Sequence, residues 1–214
     1  MLRFLNILLD AILPRRERTK HTSERTAADI PLFPATHTLL GTEIVTILNY
    51  REPAVRELLQ SLKYDASGHA AQLCVALLED YVREEISAKH MFSTQPVVLI
   101  PVPLHKNRLR ERGFNQIEKI LEHLSEEFHD GTASRIDSQA LIRVRSTKQQ
   151  THLSRRERLE NVANAFTLTE HHGLKDAHVL LLDDVTTTGA TLVEASKPFL
   201  EVGIPVSLIA LARA

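Results

Sequence analysis

The stretch VLLLDDVTTTGATL, residues 179–192, carries the most information about this chain. Its apolar beginning predicts a buried strand, which ends in the adjacent acids Asp183 and Asp184. Two carboxylates are costly to bury without partners, so they require hydroxyls, cations or backbone donors nearby. Ligands of open α/β sheets bind outside the carboxyl ends of the strands, so this stretch is the first candidate for a binding site.

The residues around the two acids suit a sugar phosphate. A vicinal diol, such as the 2′,3′ pair of a ribose, offers two donors to adjacent carboxylates, and Mg²⁺ binds through one or two carboxylates together with substrate phosphates. The amide groups of the following loop and the helix N-terminus behind it can cradle a phosphate. The predicted cradle comprises Thr186, Thr187, Thr188, Gly189, Ala190 and Thr191. The alternative is a purely structural polar turn that caps the helix.

Length and composition restrict the class of protein. The chain has 214 residues, a formal net charge of −1 and a single cysteine, Cys74. It therefore suits one domain with an appendage, and any attraction to nucleic acid must come from local basic patches. One cysteine forms neither an intrachain disulfide nor a cysteine-based zinc site, which is compatible with a reducing, cytoplasmic location.

The N-terminal region is treated separately from the rest. Its apolar stretch of about 12 residues is too short to span a bilayer and lacks a cleavage pattern, so we expect no transmembrane segment or signal peptide. We expect a helix that packs on the protein or on a partner, and the alternative is an interfacial membrane helix. Residues 15–38 are polar and predict a linker or irregular arm. The expected division is 1–42 as helix and arm and 43–214 as the main domain.

The remaining patterns alternate between strand and helix, which predicts an α/β fold with a parallel-stranded central sheet flanked by helices. Helical patterns begin at Pro53 and cover 69–90, 113–128 and 190–203, and a capping box of Ser154 and Glu157 opens another helix near 155–162. Strand patterns cover 43–50, 96–103, 140–144, 178–184 and 204–212.

VLLLDDVTTTGATL resembles the phosphoribosyl-pyrophosphate (PRPP) motif of type I phosphoribosyltransferases. The resemblance implies a Rossmann-like fold with a hood over the site. It also implies that Asp183 and Asp184 contact the ribose hydroxyls, that Thr187 to Thr191 hold the 5′-phosphate, and that Mg²⁺ lies near the two acids.

Three further stretches resemble the ComF-type branch of these proteins, which is associated with competence. They are LLQSLKYD (58–65), IPVPLHKNRLRERGFNQ (100–116) and RVRSTKQQTHLSRRERLENVANAF (143–166), and the resemblance runs from about residue 43 to the C-terminus. It implies a link to DNA uptake. Family members usually carry an N-terminal four-cysteine zinc ribbon, but residues 12–31 contain no cysteine, so we expect no zinc site.

Two basic segments are expected to lie beside the PRPP motif. For each arginine in them, the alternative to a role in binding is a solvated surface charge. Positioned cations suit a pyrophosphate, and the predicted pyrophosphate residues are Pro103, Leu104, Lys106, Arg108 and Arg112. The second segment lies where the resemblance implies a flexible hood, which excludes water when it closes. The predicted hood residues are Arg143, Arg145, Gln150, Arg158 and Asn161.

These features predict Mg²⁺-dependent transfer of a phosphoribosyl group with release of pyrophosphate, connected with natural competence. The alternative is a non-catalytic accessory protein of DNA uptake that binds PRPP or single-stranded DNA. With three Tyr, seven Phe and no Trp, DNA contact is expected to be mostly backbone electrostatics. The acceptor and the oligomeric state stay open.

Overall fold

The computed structural model of the protein describes residues 17–146, 155–169 and 173–214. The predicted N-terminal helix, the hood residue Gln150 and the capping residue Ser154 lie outside these ranges. No helix in the described ranges is long and apolar enough to cross a membrane.

A six-stranded sheet forms the centre of the described structure, in the order β1-β2-β8-β7-β3-β4. All neighbours are parallel except β1 and β2, which form an antiparallel hairpin. The strands are β1 (Leu32–Leu39), β2 (Thr42–Asn49), β3 (Val97–Pro101), β4 (Ser134–Ile136), β7 (His178–Thr186) and β8 (Val206–Arg213). A separate antiparallel pair contains β5 (Leu141–Arg143) and β6 (Phe166–Leu168). The predicted parallel α/β sheet is confirmed.

Helices cover both faces of the central sheet. They are α1 (Glu17–Ser23), α2 (Pro53–Tyr64), α3 (Gly68–His90), α4 (Lys106–Arg112), α5 (Gln116–Leu121), α6 (Arg155–Val162) and α7 (Ala190–Glu201), with short 3-10 turns at Ala27–Asp29 and Glu126–Phe128. The hood is the excursion from β5 through α6 to β6.

Side-chain alternation along β7 divides the core into two layers. Leu180 and Leu182 pack with α2, α3 and α5, whereas Val179 and Leu181 pack with α7 and the hood strands. Successive residues of a strand point to opposite faces, so Asp184 continues the first row and Asp183 the second. The two acids therefore meet different helices.

Two sequence predictions were wrong in detail. The arm at 15–38 is not irregular, because it contains α1, a 3-10 turn and β1. Its strand was hidden because β1 is an edge strand with mostly exposed residues, which leaves no apolar alternation to detect. The proposed domain boundary near residue 43 stays a prediction.

The helix predicted over 113–128 is also shorter than expected. Asn115 caps α5, which ends at Leu121. The chain then turns towards α3, where the Ser125 amide donates to Glu79 Oε1 at 3.0 Å. Leu124 and Phe128 are buried after this turn, so their helix-like spacing reflects burial in a turn and a 3-10 segment.

Candidate functional site

Asp183 and Asp184 lie within β7, close to its carboxyl end. Each carboxylate accepts a hydrogen bond from the next backbone amide: Asp184 N donates to Asp183 Oδ1 at 2.8 Å and Val185 N to Asp184 Oδ1 at 2.7 Å. The backbone therefore fixes one oxygen of each acid. Local bonds of this kind orient charged groups before any ligand binds.

Asp184 faces cations from two helices. Lys63, in the last turn of α2, places its Nζ 3.7 Å from Asp184 Oδ2. Arg112, at the end of α4, is within electrostatic reach: burial lowers the pKa of its guanidinium, and Asp184 opposes that change. Arg112 is oriented by Gln116, whose Oε1 accepts from its Nη1 at 2.8 Å.

Asp183 faces the hood. Burial, reinforced by the negative charge of Asp184, raises its pKa to about 7, and Arg143 and Lys63 partly oppose this rise. Arg143 is the last residue of β5, and its guanidinium carbon lies 5.2 Å from the centroid of the Phe166 ring on β6. Loss of solvent and the neighbouring negative charge therefore bring the pKa of Asp183 towards neutrality, and the nearby cations work against this rise.

The segment after β3 brings two of the predicted cations to the acids. Val102 N donates to Leu182 O at 2.8 Å, which anchors this segment beside β7. Arg108 and Arg112 are one turn apart on α4 and half-buried, and the charge of Arg108 lowers the pKa of both Arg112 and Arg143. Arg108 therefore lies near both of the arginines that flank the two acids. Lys106 is exposed, whereas Pro103 and Leu104 are half-buried in the loop before α4.

Asn115 and Gln116 differ in what they do. Asn115 Nδ2 donates to Val102 O at 3.0 Å, and its Oδ1 accepts from Ile117 N at 3.1 Å, so it joins the β3 loop to the start of α5. Gln116 is 2% exposed, and its Nε2 has no hydrogen-bond partner among the described residues. That buried amide is a donor beside Arg112.

The predicted hood residues separate into two groups. Arg143 reaches the site, but Arg145 Nη2 donates to Glu160 O at 3.1 Å and Asn161 O at 3.0 Å, so it caps the end of α6. Gln150 and the side chain of Arg158 lie outside the described residues. The roles of Asn161 and Arg158 stay predictions.

The phosphate loop is shorter than its sequence suggests. Thr186 is the buried last residue of β7, and its carbonyl accepts from Ala214 N at 3.0 Å. Thr187, Thr188 and Gly189 form the turn, and Ala190 and Thr191 already belong to the first turn of α7. The position of the turn before a helix N-terminus is as expected, while phosphate binding by it stays a prediction.

Gly189 is required by packing as well as by backbone conformation. Its φ is +80°, and a Cβ there would lie 2.8 Å from Leu39 Cβ and 2.9 Å from Ile44 Cδ1. The turn thus packs tightly against the β1–β2 hairpin. Packing and backbone conformation therefore both favour glycine at this position.

A magnesium ion fits the site only with help from its ligand. The described residues contain no group of three or more His, Cys, Asp or Glu side chains able to hold a metal. The two carboxylates are oxygen donors of the type that Mg²⁺ uses with waters and substrate phosphates. The donor set fits a Mg²⁺ ion that a phosphorylated ligand completes.

One shallow groove elsewhere on the described surface is unrelated to these residues. It encloses about 420 Å³ beside Lys89, Phe92 and His178. His178 is the first residue of β7, so this groove lies at the opposite end of the strand from Asp183.

Sequence analysis missed two contacts of the site. Lys63 lies in the LLQSLKYD stretch, which carried a family resemblance but no role. Glu194 of α7 is buried, and its Oε1 accepts from Asn164 N at 2.6 Å, which joins α7 to the hood. The family resemblance of LLQSLKYD was the available signal for Lys63, and Glu194 had none.

A mostly parallel α/β sheet with polar residues at the carboxyl ends of its strands is the architecture in which open α/β proteins bind their ligands. The chain is 33% identical over 175 residues to Competence protein F of Haemophilus influenzae, covering 80% of this chain and 73% of that protein. The chain therefore belongs to the competence protein F (ComF) family, as the motifs predicted.

Other relatives agree with this assignment. The chain is 34% identical over 161 residues to DNA utilization protein YhgH of Escherichia coli O6:H1, covering 75% of this chain. It spans 66% of the length of that relative. Identity to Competence protein ComFC of Bacillus subtilis is 35% over 107 residues, covering 50% of this chain and 39% of that protein.

Comparisons with family models and solved structures add little. No family model matches the chain. An orotate phosphoribosyltransferase of Mycobacterium tuberculosis aligns with 92% of this chain and 83% of its own, at 16% identity and a TM-score of 0.38. A hypoxanthine phosphoribosyltransferase of Staphylococcus aureus aligns with 67% of this chain and 62% of its own, at 14% identity and a TM-score of 0.35. Both likenesses are too weak to carry an argument.

Proposed function

We propose that this protein binds PRPP with Mg²⁺ and transfers its phosphoribosyl group to an acceptor, releasing pyrophosphate, in a process linked to DNA uptake. The observation that supports this most is the arrangement of Asp183 and Asp184. Both are oriented by backbone amides, each has at least one cation nearby, and a turn at a helix N-terminus begins three residues after Asp184.

The described residues divide the work of such a reaction. The two carboxylates hold the ribose hydroxyls and favour the positive charge that builds on the sugar ring as the bond to pyrophosphate breaks. Arg108 and Arg112 provide cations for the departing pyrophosphate. Mg²⁺, when bound, adds positive charge to the same leaving group. The turn Thr187–Gly189 offers backbone amides and hydroxyls to the 5′-phosphate.

Calorimetric titration with PRPP, with and without Mg²⁺, tests the proposal directly. We expect Mg²⁺-dependent binding by the wild type and loss of binding in the double variant Asp183→Asn/Asp184→Asn. Asp176→Asn, which removes an exposed acid elsewhere, serves as the control and is expected to bind normally. Absence of PRPP binding by the folded wild type would exclude this function.

A second candidate is a non-catalytic accessory protein that binds PRPP or single-stranded DNA. The names of the relatives, DNA utilization protein and Competence protein F, and the exposed cations Lys106 and Arg110 on α4 favour it. Tight PRPP binding without pyrophosphate release in the presence of bases, nucleosides or DNA would support it. DNA affinity that falls steeply with salt and weakens in Lys106→Ala/Arg110→Ala would indicate backbone contact.

A further inference from the structure

Three consecutive residues at the end of α2 make three different contacts. Lys63 reaches Asp184, the exposed Tyr64 ring lies within 5.6 Å of the Arg18 guanidinium carbon and 5.9 Å of Lys63 Nζ, and Asp65 is held by α1. Arg18 Nε and Nη2 both donate to Asp65 at 2.8 Å, and Thr19 Oγ1 donates to it at 2.6 Å. The end of α2 is therefore fixed to α1 at the residue that follows the helix, two positions after Lys63.

This anchoring gives the backbone of Lys63 a defined position, while its side chain is partly exposed. A two-bond arginine–carboxylate contact fixes geometry as well as charge, and a cation in the last turn of a helix is favoured by the helix dipole. The Lys63 side chain is 32% exposed and that of Asp184 is 20% exposed, so the ion pair borders solvent. The ammonium can leave Asp184 without unfolding the helix.

The position of Lys63 competes with a metal ion. Its ammonium faces Asp184 Oδ2, the oxygen that does not accept the Val185 amide. A divalent cation on that oxygen would be repelled by Lys63 and, at longer range, by Arg112. The described residues supply no third acid to compensate. A diphosphate would supply both further metal ligands and a new partner for the ammonium.

We propose that Lys63 is a built-in cation that neutralises Asp184 and excludes a lone divalent metal ion, so that the metal enters only as a complex with the phosphorylated sugar. Lys63 is thus a positioning residue of the site. The coupling to a sugar phosphate rests on the proposed function, but the exclusion of a lone metal ion does not.

Titration with Mn²⁺ alone, followed by electron paramagnetic resonance of the free ion, tests the exclusion. We expect Lys63→Met to bind Mn²⁺ about two- to fivefold more tightly than the wild type, the range for loss of a solvent-bordering charge pair. Lys63→Arg, which keeps the charge, is expected to restore exclusion. Lys63→Met/Asp184→Asn is expected to lose the added affinity, which places it at Asp184.

Lys197→Met is the matched control. Lys197 forms an ion pair with Glu194, with 2.6 Å between Nζ and Oε2, and has no ion pair with Asp184 among the described residues. It is expected to leave Mn²⁺ affinity unchanged. Unchanged or weaker Mn²⁺ affinity in a folded Lys63→Met variant would overturn the proposal, as would a gain that persists without the Asp184 carboxylate. The Mn²⁺ titration uses no PRPP, so a failure of PRPP binding is detected separately and counts against the proposed function.

Discussion

Asp183 and Asp184 are adjacent and chemically identical, yet the fold gives them different surroundings. Asp183 lies on the hood side with Arg143, and its pKa is raised to about 7 by burial and by its neighbour. Asp184 lies on the α2 side with Lys63 and Arg112. The alternation of a β-strand produces this difference, because successive side chains leave the sheet on opposite faces. The two acids of the motif therefore have different neighbours, although their own charges couple them.

The comparison separates the groups that influence each acid. Arg143 belongs to β5, whereas Lys63 belongs to α2, which packs on the other face of the sheet, and Arg112 belongs to α4. A change at Arg143 is therefore expected to alter the charge near Asp183 and to leave Lys63 and Arg112 in place. The following predictions test this division, from the largest expected effect to the smallest.

Asp184→Asn is expected to weaken PRPP binding about 100-fold. The substitution removes the negative charge that faces Lys63 and Arg112, and it removes a carboxylate acceptor for a ribose hydroxyl. Binding is compared at pH 6 and pH 8. Asp183→Asn should cause a loss that grows as pH rises through about 7, where the wild-type carboxyl ionises. Calorimetric titration of both variants at the two pH values separates them. Identical pH profiles would mean that the acids act as one group.

Gly189→Ala is expected to destabilise the protein by about 2–4 kcal/mol and to lower its Tm by roughly 5–10 °C. The added Cβ would collide with Leu39 and Ile44 in a backbone conformation that favours glycine. Gly131→Ala is the control, since its φ is +78° but no described atom lies within 4 Å of the added Cβ. Equal losses of Tm in the two variants would show that the positive φ alone causes the destabilisation, and that packing of Gly189 on the β1–β2 hairpin does not contribute.

The pH dependence of stability tests the environment of Asp183 without a ligand. Its raised pKa means that the folded protein keeps a proton that the unfolded chain releases between about pH 4 and pH 7. This stabilising contribution is complete below that window and is lost as pH rises through about 7. Asp183→Asn removes this titration. We therefore expect the free energy of unfolding of the variant, relative to wild type, to be on the order of 1–2 kcal/mol higher at pH 8 than at pH 5.

Thermal unfolding of wild type and variant from pH 5 to pH 8 measures this gain. Asp176→Asn, an exposed acid, should give a constant difference from wild type over the same range. A constant difference for Asp183→Asn as well would show that Asp183 titrates as an ordinary surface acid.

Much of the fold was predictable because buried strands and amphipathic helices have strong periodic patterns. β7, β3 and α3 were identified close to their observed bounds, since their apolar residues are buried in the core. β1 was not, because an edge strand with exposed side chains lacks that pattern. The two acids and their loop were identified from residue chemistry and family resemblance. Lys63 was not, because its contact with Asp184 joins residues 121 positions apart in sequence, a pairing that local patterns do not encode.

Substitutions of Asn115 test how the loop on the Asp184 side of the site is held in place. Its side chain caps α5 and also donates to Val102 O, so it holds the loop of Arg108 and Arg112 against the sheet. Asn115→Ala is expected to cost about 1–2 kcal/mol, because it removes both bonds. Asn115→Ser keeps a capping oxygen but is too short to reach Val102, so it should cost about half as much. Both variants lose the bond to Val102, but only Asn115→Ala also loses the cap. If both lose PRPP affinity to the same extent, the β3 loop positions the cations that serve Asp184. Equal PRPP affinity in the two variants and the wild type would place the control of Asp184 in α2 alone.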